Sequence, residues 1–195
     1  MPVPDRHAVV LYWLPLGAGG HCVRRSGRVF EALVARHEHR AGCDLYHSAL
    51  EVRHGDERCT IEMAPVWSGA AADRGVVRRG AVGSRLLGRS VLFRYEVRRW
   101  RDGVIPDARQ AVASPYQVSH DAGRAARILE LVPLVPALTW GRDDAYTGEM
   151  WNSNSLTAWL LARTGHRMDT IGPPAGGRAP GWRAGLVVAA RQAAD

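Results

Sequence analysis

The segment WNSNSLTAWLLARTG, Trp151 to Gly165, places a polar Asn-Ser-Asn-Ser cluster directly before an apolar-periodic run. A helix starting there points unpaired backbone N–H groups and a partial positive charge at Ser153, and that field lowers the cost of an alkoxide or oxyanion. A serine hydroxyl is a weak nucleophile until a base takes its proton, and His47 in YHSALEV is the candidate base. Glu62 in TIEMAP is the candidate to orient that imidazole. The chemistry would be acyl transfer on an amide, ester or thioester, with backbone amides of the helix start holding the oxyanion. Trp151 and Tyr46 are the candidate walls of a substrate pocket. Each residue also has a plainer reading. Asn and Ser are among the commonest helix caps, so Asn152 or Ser153 can serve only to satisfy orphan amides. A carboxylate between Ile61 and Met63 needs a partner once buried, and an arginine serves as well as a histidine.

Strands and helices around these groups are legible in the sequence. An apolar run from His7 to Leu16 predicts a buried strand, ended by Pro15 and the Gly17-Ala18-Gly19-Gly20 loop. Ser26 is an N-cap for a helix ending near His39. Residues 45 to 53 and 58 to 64 predict a hairpin around His54-Gly55-Asp56-Glu57, which sets His47 and Glu62 at similar heights on paired strands. The stretch from Val66 to Arg89 predicts a long connection with short strands near Gly75–Val77 and Ala81–Gly83, and SVLFRYEVRR over 90–99 a half-buried strand. A helix from Ser119 or Asp121 to Val132 is broken by Pro133. In the next helix Leu156, Trp159, Leu160 and Arg163 set one face, and Gly165 stops it. The tail from Ile171 to Gly185 reads as a Pro/Gly-rich loop, and LVVAAR as a short strand or helix turn.

Composition narrows the classes. At 195 residues the chain fits one domain over 1–195, and 46% apolar content argues against disorder. No run approaches the ~18 apolar residues of a membrane span, and the N-terminal apolar stretch is interrupted before a signal cleavage site, so a cytoplasmic protein is expected. Cys22, Cys43 and Cys59 are odd in number and lack CxxC spacing, which supports neither a disulfide framework nor a zinc ribbon. His37 and His39, two apart, project in different directions on a helix and cannot chelate one ion, so no metal is expected. GAGGHC after a strand has Cys22 where the third glycine of a dinucleotide loop belongs, so no cofactor is expected either. The net charge of +7 comes from arginine alone, since the chain has no lysine, and Arg98, Arg99 and Arg101 around Trp100 meet only the compositional part of a nucleic-acid signature.

In residue order the chain resembles the permuted papain-like, NlpC/P60-like superfamily, where a strand-borne histidine precedes a nucleophile at a helix start. HSALEV followed by IEMAP and Gly75-Val76 looks like the histidine strand and the acid-bearing strand of that group, and NSNSLTAWLL is similar to its N-C-N-[ST]-F signature and to the N-S-N-T-F variant of uncharacterised bacterial families. The resemblance implies an α+β fold with an antiparallel sheet packed against helices. It sets Ser153 where the nucleophilic cysteine stands, His47 as base and Glu62 as third member, with Asn152, Asn154 and Ser155 supporting the oxyanion site. Serine in place of cysteine removes a thiol that is partly ionised near neutral pH. The expected function is therefore a hydrolase or acyltransferase acting on a small-molecule, peptide or lipid-like substrate. The alternatives are an inactive module of the same fold that binds a peptide or lipid-like ligand, and an arginine-rich nucleic-acid-binding protein.

Overall fold

The computed structural model describes residues 5–16, 42–66, 75–105 and 107–194. The expected helix from Ser26 to His39, together with Cys22, His37, His39 and Trp67, lies outside the described residues.

Among the described residues the chain is mixed α+β. Its strands are β1 (His7–Pro15), β2 (Asp44–His54), β3 (Glu57–Pro65), β4 (Val76–Ala81), β5 (Arg94–Arg101), β6 (Val112–Ser119) and β7 (Gly177–Arg178), and its helices α1 (Ala122–Leu131), α2 (Ser153–Arg163) and α3 (Trp182–Ala194). Six strands form an antiparallel sheet in the order β4-β5-β3-β2-β1-β6, and the two residues of β7 run parallel to the start of β2. The hairpin forms as read: β2 and β3 pair from Leu50↔Ile61 to His54↔Glu57, and Gly55 takes the positive φ of 61° that the reversal demands.

Alternation along the strands divides the sheet into two faces. On one, Val9, Leu11 and Trp13 of β1, Tyr46, Leu50 and Val52 of β2, Cys59, Ile61 and Met63 of β3, and Tyr95 and Val97 of β5 join the helices in the main core. On the other, Leu14, Ala49 and Ile105 form a small cluster with Tyr12, Ala108 and Ala111, so the connection between β5 and β6 covers the middle of that face. β2 is central and covered on both sides, which is why its sequence shows no clean alternation of apolar and polar residues.

Helix α1 begins at the Asp121 cap, whose Oδ1 accepts the Arg124 amide at 2.7 Å, and it buries Ala125, Ile128, Leu129 and Leu131. Helix α2 is buried along its whole length from Ser153 to Leu161, not on one face as its sequence predicts, because α3 packs along the side that the sheet and α1 leave open. Of the two readings of LVVAAR the helical one holds, the start of one strand moves, and one strand is unforeseen. LVVAAR belongs to the 13-residue helix α3, β5 starts at Arg94 after a short 3-10 turn over Val91–Phe93, and β6 has no counterpart in the reading. No helix among the described residues is long and apolar enough to cross a membrane.

Candidate functional site

The Asn-Ser-Asn-Ser cluster does start a helix, and its polar side chains are spent on holding that start in place. Asn152 is the N-cap, with extended backbone, and its Oδ1 accepts the amides of Asn154 at 2.9 Å and Ser155 at 3.3 Å. The Ser155 hydroxyl accepts the Asn152 amide at 3.1 Å, which closes a capping box, and donates to the Gly181 carbonyl at 2.7 Å. The side-chain amides of Asn152 and Asn154 both donate to the Pro180 carbonyl, at 2.8 and 2.9 Å, and Asn154 Nδ2 also reaches the Tyr46 carbonyl at 2.9 Å.

One knot therefore ties the start of α2 to β2 and to the Pro180–Gly181 turn that leads into α3. Glu149 completes it: one carboxylate oxygen accepts the amides of Gly181 at 2.9 Å and Arg183 at 3.1 Å, an anion at the positive end of α3. Gly181 sits at φ 87°, and a Cβ there would overlap the Asn152 side-chain amide, so only glycine lets the turn come this close.

Ser153 differs from its neighbours. It is buried, and its hydroxyl makes no hydrogen bond among the described residues. A nucleophile so placed needs a base on the helix side of the sheet, and that base is not His47. Tyr46 belongs to the core beneath the helices and lends its carbonyl to Asn154, so by strand alternation His47 projects from the opposite face, beside its cross-strand partner Leu14. Its electrostatic neighbour is Asp107, from the connection covering that face, while burial pushes the imidazole down to about 4.

Glu62 lies on the same face as His47 but beyond the last pair of the β2–β3 ladder, and its carboxylate is held by Arg98, whose Nη1 stands 2.9 Å from Oε1. Arg98 is 1% exposed and also reaches Glu96 Oε2 at 3.2 Å through Nη2. The structure thus brings Asn152, Ser153, Asn154 and Ser155 together, brings Glu62 to an arginine, and joins neither His47 nor Glu62 to Ser153. The two expected pocket walls are core residues instead. Trp151 is 1% exposed, and Tyr46 lies so close to β7 that a Cβ at Gly177 would overlap its ring.

Cys59 offers no substitute thiol. It is buried on the helix face, donates to Glu57 at 3.2 Å, and burial pushes its thiol up, away from the thiolate. Cys22 lies outside the described residues. Among those residues no group of three or more His, Cys, Asp or Glu side chains is arranged to hold a metal ion.

Sequence reasoning missed the partners that complete the knot, Glu149, Pro180 and Gly181, and also the Arg98–Glu62–Glu96 cluster. The first set carried a signal in the Ala-Pro-Gly-Trp turn abutting the final apolar run. The second carried one in the i, i+2 spacing of Glu96 and Arg98, which sets both on one face of a strand.

The partly buried position of His47 has a measurable consequence. A folded pKa of about 4 against the ordinary 6.5 means that acid protonates the ring in the unfolded chain first. The associated stability is whole above about pH 6.5 and is lost as pH falls through the window down to about 4. Urea midpoints measured across that window should fall more steeply for the native chain than for His47→Gln. Parallel curves would mean that the ring is not held neutral by burial.

No protein-family model matches the chain, and no characterised protein or solved structure is similar to it. What its fold and candidate site define is an α+β domain with an antiparallel sheet, carrying helices over one face and a capped, buried helix start where a nucleophile was expected.

Proposed function

We propose that this chain is a permuted papain-like domain in which the nucleophile position has become a structural joint, and that it acts by binding a peptide or lipid-like ligand without turning it over. The observation that carries this reading is the hydrogen bond from Asn154 Nδ2 to the Tyr46 carbonyl, together with the place of the Tyr46 side chain in the helix-covered core. With Tyr46 on that side, the neighbouring His47 serves the far face. A serine without a base lacks the proton transfer that a thiolate can do without. Glu62 is likewise engaged by Arg98, and Ser153 is nearly closed to solvent.

Reaction with a fluorophosphonate probe, read by mass spectrometry, tests the proposal without knowledge of the substrate. The expected result is no adduct on Ser153, with native, Ser153→Ala and His47→Ala proteins indistinguishable. An adduct on Ser153 that disappears in His47→Ala would restore the serine acyl-transfer reading and end this one.

A further inference from the structure

The connection between β4 and β5 exposes apolar side chains out of proportion to its length. Leu86 is 82% and Leu92 65% exposed, and Leu87, Val91 and Phe93 are exposed with them, so one eight-residue stretch carries five large apolar groups in water. Two short 3-10 turns, Leu87–Arg89 and Val91–Phe93, fix the backbone that presents them. Core packing uses none of the five, and a contiguous exposed apolar patch of this kind marks an interaction surface.

Beside the patch lies a cavity of about 630 Å³ lined by Arg79, Arg85, Arg89 and Arg94, with Gly80, Gly88 and Thr139 among its other walls. Among the described residues the four guanidinium groups face two carboxylates. Arg79 stands 3.2 Å from Glu96, and Arg85 stands 3.2 Å from Asp144. Glu96 is already shared with Arg98. Arg94 is held rigid by the carbonyls of Gly88 and Arg89, at 2.6 and 3.1 Å, neither of which neutralises it. The Arg89 guanidinium has no hydrogen bond or ion pair among the described residues. The cavity is therefore a net cationic hollow, with one guanidinium set in place by backbone and one free to close on an oxyanion. Guanidinium forks match the oxygens of a phosphodiester.

We propose that this face docks onto an anionic phospholipid surface, with a headgroup phosphate in the arginine-lined cavity and Leu86, Leu87, Val91, Leu92 and Phe93 seated at the acyl boundary. Two kinds of complementarity meet at this one place. A membrane interface offers phosphate and hydrocarbon within a few ångströms of each other, and arginines interleaved with bulky apolar residues over 85–94 meet both at once. Nucleic acid would use the arginines and leave the leucines in water, and an acidic peptide would do the same. The inference does not rest on whether Ser153 is catalytic, since the two surfaces share no residue.

Co-sedimentation of the full chain with vesicles decides it, using phosphatidylcholine alone and phosphatidylcholine mixed with phosphatidylglycerol. Binding is expected to the anionic vesicles only, to weaken with salt, and to fall roughly five-fold for each of Arg85→Ala and Arg89→Ala. The double variant Leu86→Asp/Leu92→Asp, at sites that carry no core packing, should lose vesicle binding while its thermal unfolding stays near that of the native chain. Equal binding to both vesicle types, or none to either, overturns the proposal. So does a double variant that still binds, or a single-stranded oligonucleotide that displaces the vesicles and binds the double variant as well as the native chain.

Discussion

Replacing Arg98 with alanine will cost the protein about 3–5 kcal/mol of folding stability, the range for removing one partner of a buried ion pair. The guanidinium is 1% exposed and stands between two carboxylates that are themselves largely out of water, at 14% for Glu62 and 8% for Glu96. Its loss leaves Glu62 with no positive partner among the described residues. Among the described residues Glu96 keeps only Arg79, which is 62% exposed and sits in solvent where an ion pair is worth little. Most of the cost is thus the desolvation of stranded carboxylates, not the lost attraction itself. That distinction has its own test. A triple variant with Arg98→Met, Glu62→Leu and Glu96→Met removes all three charges together and should recover most of what Arg98→Ala loses. Urea denaturation of the three proteins measures both effects. A loss below about 1 kcal/mol for Arg98→Ala would show the cluster to be wet and weakly coupled.

That cluster also marks how far the sequence could be read. The need of Glu62 for a partner was legible, because a carboxylate between Ile61 and Met63 in an apolar strand cannot be buried alone. Which partner it takes was not, because the choice depends on strand order. β3 lies between β2 and β5, and the neighbour that supplies a buried cation is the one nearly 40 residues later in the chain. The same limit acted on His47. A strand with one wet face announces its parity by alternating apolar and polar residues, and β2 is covered on both faces, so Tyr46 and His47 were equal candidates for the helix side.

Local signals carried well where they were strong. Gly55 in the hairpin, Asp121 and Asn152 as caps, and Gly165 at φ 70° just past α2 all stand where their conformational preferences put them. β6 escaped because it is an exposed edge strand with Pro115 inside it, a composition that argues against strand anywhere except an edge. α3 escaped because LVVAAR is short and apolar, and such a run is ambiguous between strand and helix until the facing helix is known. Its N-terminal anion comes from Glu149, more than 30 residues away, so no local cap announced it.

The second large effect is expected at Gly185, where two principles predict opposite signs. Glycine in a helix interior is worse than alanine by about 1 kcal/mol, so on propensity alone Gly185→Ala should stabilise α3. Geometry reverses this. A Cβ at Gly185 would overlap the Ser155 carbonyl oxygen and stand 2.9 Å from Ala158 Cβ, both on α2. That carbonyl cannot move aside freely, because the Ser155 side chain is bonded to Gly181 and Asn152 and the turn before α3 is bonded to Asn152 and Asn154. Separating the helices to admit a methyl group would stretch those bonds and loosen the joint at Ser153. Overpacking of this kind costs about 1–3 kcal/mol, which exceeds the propensity gain. Gly185→Ala should therefore be destabilised in urea, while Gly172→Ala, with open space around its Cβ position, should stay within about 0.5 kcal/mol of the native chain. A Gly185→Ala protein as stable as the native one would mean that α2 and α3 can slide apart without breaking the knot. The helix start would then be less firmly built than its hydrogen bonds imply, and the reading of the Asn152–Ser155 segment as a fixed joint would fall with it.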